Sequence, residues 1–269
     1  MNSCSQFDIM LKNNKEVLQV KTKNNYITKY QNELNLVPLK NFKAIEIDLF
    51  FSICTKIKEQ GTRKVKYTFE DLRELSNYHS HNTRERFIND LQHVYDKMQQ
   101  LVYTERTEKK IRKFNLFSFY EIDLEDDYVE IALNKDLEHI LNNLTGNFTR
   151  FELQELTSIQ SAYSKNMFRL LKQFRNTGLY KVSLDDFKEL LDIPYSRVCD
   201  IDARVLKIIQ RDLADSFENL EIKKIKKGRK IVALEFTFNR ENLKKKKKEV
   251  KIDETLRSQS EEMFKEIIK

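Results

Sequence analysis

The sequence contains little glycine and proline. It has 4 Gly and 2 Pro among 269 residues, where average usage of about 7% and 5% would give roughly 19 and 13. Neither G-x-x-x-x-G-K-[ST] nor G-x-G-x-x-G occurs in it. These glycine-rich loops bind nucleotide phosphates through their backbone N–H groups. The sequence therefore argues against an ATPase or a dehydrogenase of the usual kind.

Cysteines and long apolar runs are also scarce. Cys4, Cys54 and Cys199 lie far apart and form no C-x-x-C pair, which argues against a disulfide framework and a zinc site. The chain has no stretch of 18 apolar residues and does not begin with a signal-peptide-like segment. We expect a cytoplasmic protein in a reducing environment, with no membrane contact, no metal and no cofactor.

Charge is abundant. The chain has 49 Lys+Arg against 42 Asp+Glu, a net charge of +7, with 34% charged and 40% hydrophobic residues. This composition is typical of a soluble globular protein, and the length suits one large domain or two ordinary ones.

Two of the four glycines follow similar helical patterns. Residues 41–59 are amphipathic and lead to Gly61, and residues 159–176 are amphipathic and lead to Gly178. Apolar side chains recur at helical spacing in both segments, and a glycine after a helix is typical of a C-terminal cap. The sequence predicts two long helices with the same kind of ending.

The segments after these two glycines also correspond. Each contains a short strand pattern and then Thr68 or Ser183, followed by acidic residues. Ser or Thr with acidic residues is favourable at a helix N-terminus. A second helix is predicted at 82–101 in the first copy and at 201–217 in the second.

Each second helix leads into a predicted hairpin with a basic tip. The paired segments are 101–107 with 114–124 in the first copy and 219–225 with 231–238 in the second. The order of elements is that of a winged helix-turn-helix. We predict an α+β, mostly helical fold of two tandem winged helix-turn-helix domains related by internal duplication. The alternative is an α+β protein whose halves merely resemble each other.

The predicted domains follow from this order. We expect an N-terminal winged-helix domain over residues 1–145, a C-terminal winged-helix domain over 146–240 and a charged, Lys-rich tail over 241–269, with the boundary near Gly146. The tail includes five consecutive lysines, which suit either a DNA-binding extension or a solvated linker.

A winged helix-turn-helix indicates double-stranded DNA as the partner, because its second helix fits the major groove. Basic residues at the hairpin tips suit the phosphate backbone, although exposed lysines are also typical of a plain solvated surface. The predicted DNA-binding residues of the second copy are Arg197, Arg204, Lys207, Gln210, Arg211, Lys224, Lys226, Lys227, Arg229 and Lys230. Those of the first copy are Ser80, Asn82, Thr83, Arg84, Arg86, Lys109, Lys110, Arg112 and Lys113.

Catalytic patterns are weak. His79 and His81 flank Ser80, whereas a metal-dependent nicking enzyme of rolling-circle replication would have a His-hydrophobe-His triplet on a strand. No Ser/His/Asp or Cys/His arrangement stands out, and acidic pairs such as Asp126-Asp127 suit turns and helix N-termini. We predict no catalytic residues, no metal ligands and no enzyme.

The segments SAYSKNMFRLLKQFRNTG (161–178) and VSLDDFKELLDIP (182–194) carry a family resemblance. With the tandem winged helices, they resemble the initiator Rep proteins of theta-replicating, iteron-containing plasmids. The more specific part is Y-S-x-x-x-F/Y-x-L-L-K-x-F/Y, filled by Tyr163, Ser164, Phe168, Leu170, Leu171, Lys172 and Phe174. The run YQNELNLVPLK (30–40) is similar to the start of the first family domain. The resemblance covers about residues 20–240.

The resemblance implies a non-enzymatic initiator. Such proteins bind direct repeats in a plasmid origin, bend the DNA, help to melt an AT-rich segment and recruit the host initiator and the replicative helicase or primase. Dimers commonly repress their own gene at an inverted repeat, and monomers bind the direct repeats. By this resemblance, the helix at 201–217 would be the principal reader, and the first domain would combine dimerisation with secondary DNA contacts. A rolling-circle nickase and a transcriptional regulator with two winged helices remain as alternatives.

Overall fold

The same order of elements occurs twice within residues 26–78, 83–106, 109–142, 144 and 146–241, which the computed structural model describes. The order is a long helix, a short strand, two further helices and a hairpin. The helices are α1 (Ala44–Ile57), α2 (Phe69–Leu75), α3 (Arg84–Gln100), α4 (Leu153–Thr157), α5 (Ala162–Gln173), α6 (Leu184–Leu190) and α7, whose α-helical turns Val198–Ile201 and Lys207–Asp212 flank a π-helical turn, Asp202–Leu206. The strands are β1 (Ile27–Gln31), β2 (Val65–Thr68), β3 (Val102–Arg106), β4 (Ile111–Asn115), β5 (Phe117–Asp123), β6 (Tyr128–Leu133), β7 (Phe148–Glu152), β8 (Leu179–Ser183), β9 (Glu221–Lys227) and β10 (Lys230–Thr237).

Each unit has a three-stranded antiparallel sheet that includes the strand before its helix pair. In the first unit the order is β2-β6-β5, and in the second unit it is β8-β10-β9. Tyr67 lies opposite Val129 in the first sheet, and Val182 lies opposite Leu234 in the second. In both units the last strand of the hairpin pairs with the short strand, so the predicted tandem winged helix-turn-helix architecture is confirmed.

The predicted hairpin of the first unit is wrong. Segments 101–107 and 114–124 were expected to form its wing, but β3 pairs with β4 in a separate two-stranded sheet. The wing of the first unit is β5 with β6, and its tip is residues 124–127. The cause is an additional hairpin, β3–β4, inserted between α3 and the wing. Only Leu116 separates β4 from β5, so the sequence pattern merged them into one strand.

Four predicted helix lengths also differ from the structure, and the smallest difference is at α3, which spans Arg84–Gln100 where 82–101 was predicted. The segment 41–59 forms α1 only over Ala44–Ile57, and 159–176 forms α5 only over Ala162–Gln173. The helix expected at 201–217 begins earlier, at Val198, and ends at Asp212. Leu213 and Phe217 are nevertheless buried, because the turn after α7 continues to pack on the core. Apolar spacing alone therefore extended the prediction past the helix end.

The predicted helix caps are confirmed. The Thr68 hydroxyl accepts a hydrogen bond from the Asp71 amide at 3.1 Å, and the Ser183 hydroxyl accepts one from the Asp186 amide at 3.0 Å. Each bond satisfies an amide that lacks an intrahelical acceptor. The two units therefore begin α2 and α6 by the same local chemistry.

Gly178 is required by a close backbone approach. Its φ is +66°, and a Cβ at this position would lie 2.3 Å from the Phe238 carbonyl oxygen. Gly61 also has a φ of +66°, but the nearest atom to its Cβ position is Glu138 Oε1, at 3.7 Å. The left-handed residue directly after the cap of α1 is Glu59, with a φ of 63°. Gly61 thus closes the turn and is not itself the helix cap. Gly178 is not a cap either, because α5 ends at Gln173 and its cap is Phe174.

A buried polar interface joins the two units. β1 pairs with β7 across the predicted boundary at 145/146, and that boundary stays a prediction. Lys165 of α5 donates to Asp48 of α1 at 2.6 Å, and both side chains are almost completely buried. Burial raises the pKa of Asp48 to about 7, and Lys165 opposes that shift. The fully buried Arg169 donates to the carbonyls of Leu34 and Val37, at 3.0 Å each.

Candidate nucleic-acid interface

Helix α7 of the second unit separates its apolar and polar faces. Ile201, Val205 and Ile209 are completely buried. The opposite face is exposed and polar, and its members are Arg204, Lys207, Gln210 and Arg211. Arg and Gln are the side chains that bind guanine and adenine bidentately. The residues predicted to read bases are therefore brought together on one accessible face.

The arginines of α7 and Arg197, the residue directly before the helix, are held differently. Arg197 donates from Nε to Asp200 Oδ2 at 2.7 Å, and Arg211 pairs with Asp212 at 2.9 Å. The Arg197 side chain also holds the pKa of Asp200 below its usual value. The Arg204 guanidinium carbon lies 5.3 Å from the centre of the Tyr195 ring, which is a cation–π contact.

The hairpin β9–β10, which we call the basic wing, carries a basic tip at residues 226–230. Three lysines and one arginine surround Gly228 in this tip, and all five residues are exposed. Apart from Gly228 and its two chain neighbours, no heavy atom of the described residues lies within 4 Å of the Cβ position at Gly228, so the tip projects into solvent. Lys224 Nζ contacts Asp202 Oδ1 at 2.5 Å and thus links the wing to α7.

Helix α3 of the first unit begins at a capped, polar end. The Thr83 hydroxyl accepts from the Arg86 amide at 3.3 Å. Arg84 and Arg86 are exposed, whereas Phe87 and Leu91 are completely buried. Ser80 and Asn82, also predicted DNA-binding residues, lie outside the described residues.

The wing of the first unit is acidic, and we call it the acidic wing. Its tip contains Leu124, Glu125, Asp126 and Asp127. Asp123 Oδ1 accepts hydrogen bonds from the amides of Glu125 and Asp126, at 2.9 Å each. The bond from the Asp126 amide is the main cause that lowers the pKa of Asp123. The tip is therefore a well-bonded turn with a high density of negative charge.

This acidic tip contacts the first residue of α3. Arg84 Nε donates to Asp127 Oδ1 at 3.0 Å, and Arg84 Nη2 donates to the same oxygen and, at 2.6 Å, to the Leu124 carbonyl. The Asp127 carbonyl accepts from the Phe69 amide at 2.8 Å. The tip thus lies against the N-terminal ends of both α2 and α3.

The four predicted basic residues that lie outside α3 are on the hairpin β3–β4, which we call the basic hairpin. Lys109, Lys110, Arg112 and Lys113 are all exposed. The hairpin begins at Val102, directly after α3. It therefore leaves from the C-terminal end of α3, whereas the acidic tip contacts the N-terminal end.

Within the described ranges, no group of three His, Cys, Asp or Glu side chains could hold a metal ion. His79 and His81 lie outside those ranges. No helix in the described part of the chain is long and apolar enough to cross a membrane.

Two family models match most of the chain. The family described as "Initiator Replication protein, WH1" matches residues 27–172, and "Initiator Rep protein, WH2" matches residues 183–238. This chain belongs to the initiator Rep protein family. It is a winged-helix replication initiator, and the predicted family is confirmed.

The initiator has a similar relative and a similar solved structure. It is 33% identical over 220 residues to the "Probable replication protein rep" of Bifidobacterium longum (strain NCC 2705), covering 81% of this chain and 74% of the relative. Its fold is similar to that in "Crystal structure of Pi initiator protein in complex with iteron DNA", with a TM-score of 0.64 and 17% identity over 81% of this chain and 98% of the other. At this identity the structural match shows the fold.

The contact between Arg84 and Asp127 was not predicted from the initiator's sequence. Its signal was present, because an acidic Glu-Asp-Asp turn separates two strand-like segments. The pairing of β6 with β2 was the missing information, since it alone brings that turn to α3. Sequence position placed Arg84 on the reading helix but did not show which groups its guanidinium would contact.

Proposed function

We propose that this initiator binds direct repeats in a plasmid replication origin through α7 and the basic wing. The observation that carries the proposal is the combination, in one unit, of an exposed polar helix face and a projecting cationic tip. The Pi initiator protein, which shares this fold, is bound to iteron DNA in its crystal structure. This likeness supports repeated DNA sites as the ligand.

In the proposed complex α7 enters the major groove, because one helix fits that groove and exposes its outer side chains to base edges. Arg204, Lys207 and Gln210 are the proposed base contacts. The lysines of the basic wing contact phosphates, fix the register and make binding depend on salt. The basic hairpin of the first unit and Arg86 supply further backbone contacts.

We extend the proposal to initiation on the basis of family membership. The bound protein bends the origin, helps to open an AT-rich segment and recruits the host initiator and the replicative helicase or primase, in the cytoplasm and without catalysis or a cofactor. A dimer formed through the first unit binds an inverted-repeat operator and represses its own gene. A two-fold dimer matches a palindrome, whereas head-to-tail repeats suit monomers. The tail, residues 241–269, adds affinity for any DNA sequence.

A competition gel shift with wild-type and substituted duplexes tests the reading helix. We expect wild-type binding to the repeats with a dissociation constant of about 10 nM and a steep salt dependence. Arg204→Ala should reduce discrimination between the repeat and a scrambled duplex by about 1–3 kcal/mol. The matched control, Lys226→Gln with Lys227→Gln, should weaken binding to both duplexes alike and lower the salt slope by about two.

Full discrimination by Arg204→Ala would contradict the assignment of α7 as the reading helix. Binding only to an inverted repeat, with no support of replication from the repeats, would indicate a transcriptional regulator. Incubation of supercoiled plasmid with the protein and Mg²⁺ or Mn²⁺ checks the non-enzymatic part, and nicking with a covalent tyrosine adduct would indicate a rolling-circle enzyme.

A further inference from the structure

We propose that Asp127 is a specificity-determining residue of this initiator, because it occupies Arg84 and so keeps the N-terminus of α3 from reading a base. The first unit then contacts the DNA backbone, and α7 alone discriminates among sequences. This inference rests on the proposed function and deepens it. Four observations about Arg84 and the acidic wing support this inference.

The first observation is the position of Arg84. It is the first residue of α3, and the N-terminal residues of the second helix in a helix-turn-helix are those that meet base edges. Its side chain is 46% exposed, so it is accessible from the DNA-facing end of the helix. By position alone, Arg84 would be a base-reading residue.

The second observation is the use of its donors. A guanidinium has five N–H groups, and three of them are occupied by Asp127 and the Leu124 carbonyl. A bidentate contact with guanine needs two parallel N–H groups from one edge of the guanidinium. Both such edges include Nη2, and both hydrogens of Nη2 are in use. Arg84 therefore cannot bind guanine bidentately while the acidic wing holds it.

The third observation is that the carboxylate is held in place by the backbone. The Asp127 carbonyl accepts from the Phe69 amide, and Asp127 has a φ of 52°, a conformation that Asp and Asn tolerate better than most residues. An exposed ion pair between two free side chains is weak. Here the backbone anchor holds one partner at the site, which reduces the entropy cost of keeping the contact.

The fourth observation is the charge around the contact. Glu125 and Asp126 are exposed at the same tip, and they would face phosphates if the acidic wing followed the DNA backbone as the basic wing does. Like charges repel there, so the acidic wing cannot serve as a phosphate-binding arm. The cations on the basic hairpin, at the other end of α3, are the backbone contacts that remain.

The test compares Asp127→Asn with Asp126→Asn, which makes the same change of charge at a residue without a contact to Arg84. Affinity and base preference are measured by fluorescence anisotropy on the origin repeats and on duplexes with every position substituted in turn. We expect Asp127→Asn to tighten binding about five- to tenfold and Asp126→Asn about twofold, because one carboxylate less lowers repulsion in both. Only Asp127→Asn should add a base preference, at positions that α7 does not read.

Two further variants separate release of Arg84 from other effects. Arg84→Gln alone should leave the wild-type base preference unchanged, and Arg84→Gln with Asp127→Asn should lose the added preference. Asp127→Gly removes the carboxylate at a backbone position that glycine accepts readily, so it provides a second test if the Asn variant does not fold. Circular dichroism and thermal melting check folding.

Equal gains from Asp127→Asn and Asp126→Asn, with no new base preference, would overturn the inference. So would a loss of affinity in both Asp127→Asn and Arg84→Gln, because Asp127 would then present Arg84 to the DNA. Failure of the proposed function is recognised separately, as a wild-type protein that does not distinguish the repeats from a scrambled duplex. In that case the same variants on random duplex DNA still decide whether Asp127 withholds Arg84.

Discussion

The two winged-helix units use the same helix caps and sheet order, but their wings are opposite in charge and in position. The tip of the basic wing is exposed, and the Cβ position at Gly228 has only that residue and its chain neighbours within 4 Å among the described residues. The acidic wing folds onto the first unit, where Asp127 holds Arg84. The same architecture therefore carries one hairpin with an exposed basic tip and one whose acidic tip makes an intramolecular contact. The two tips differ in their residues, Lys and Arg in one and Glu and Asp in the other.

The two units can act together on one DNA site only if the interface between them is stable. Substitutions in the buried ion pair between Asp48 and Lys165 test the stability of that interface. Each of the equivalent helices α1 and α5 contributes one charge, Asp48 and Lys165. Lys165→Met should destabilise the protein by about 3–5 kcal/mol, because it leaves a buried carboxylate without its cation. Urea unfolding of the full chain measures the effect.

The control for this prediction is Asp48→Leu combined with Lys165→Met, which should be near neutral because no charge remains buried. The loss in Lys165→Met should also be smaller at pH 5 than at pH 8. Desolvation already raises the pKa of Asp48 to about 7, and removing Lys165 takes away the charge that lowers it. At a pH below the pKa of Asp48 in the variant, this carboxyl is neutral in the folded protein, so no charge is buried there without a partner. Equal destabilisation of the single and the double variant would show that packing, not charge, matters at this interface.

The next largest effect separates the two equivalent glycines. Gly178→Ala should cost about 3 kcal/mol, because a methyl group would meet the Phe238 carbonyl at 2.3 Å in addition to the strain of a positive φ. Gly61→Ala should cost only about 1 kcal/mol, since its φ is the same but the nearest atom, Glu138 Oε1, is at an ordinary contact distance of 3.7 Å. Thermal melting of both variants measures the difference. Equal losses would mean that the backbone at Phe238 moves away from Gly178 at little cost.

The sequence predicted the features that depend on local chemistry. Thr68 and Ser183 were identifiable as caps from the residue types that follow them, and the apolar spacing located both long helices. The prediction of the first unit's wing failed because strand pairing depends on tertiary contacts and not on local sequence. β4 and β5 are almost continuous in sequence, and nothing local indicates that one pairs backward to β3 and the other forward to β6.

The interface between the units was missed for a related reason. Arg169 lies on the polar side of an amphipathic pattern, which usually faces water. In the structure it is fully buried, because carbonyl groups of the 3₁₀ turn Asn32–Leu36 and of Val37 accept its hydrogen bonds. A helix pattern distinguishes polar from apolar faces, but it does not show that a polar face is covered by another unit. The candidate DNA-reading face of α7 follows the same pattern and is exposed.

The smallest effect concerns the caps, where the two units should behave alike. Thr68→Ala and Ser183→Ala should each destabilise the protein by about 1 kcal/mol, because each leaves the amide of Asp71 or Asp186 without its acceptor. Thr68→Ser and Ser183→Thr, which keep the hydroxyl, should retain most of the stability. A loss of stability in Thr68→Ala well above that in Ser183→Ala would mean that α2 also depends on the acidic wing. The link would be the hydrogen bond that the Phe69 amide donates to the Asp127 carbonyl. The two units would then differ at the first turn of these helices. The cap of α6 would stabilise its helix alone, whereas the cap of α2 would also stabilise the contact between that helix and the acidic wing.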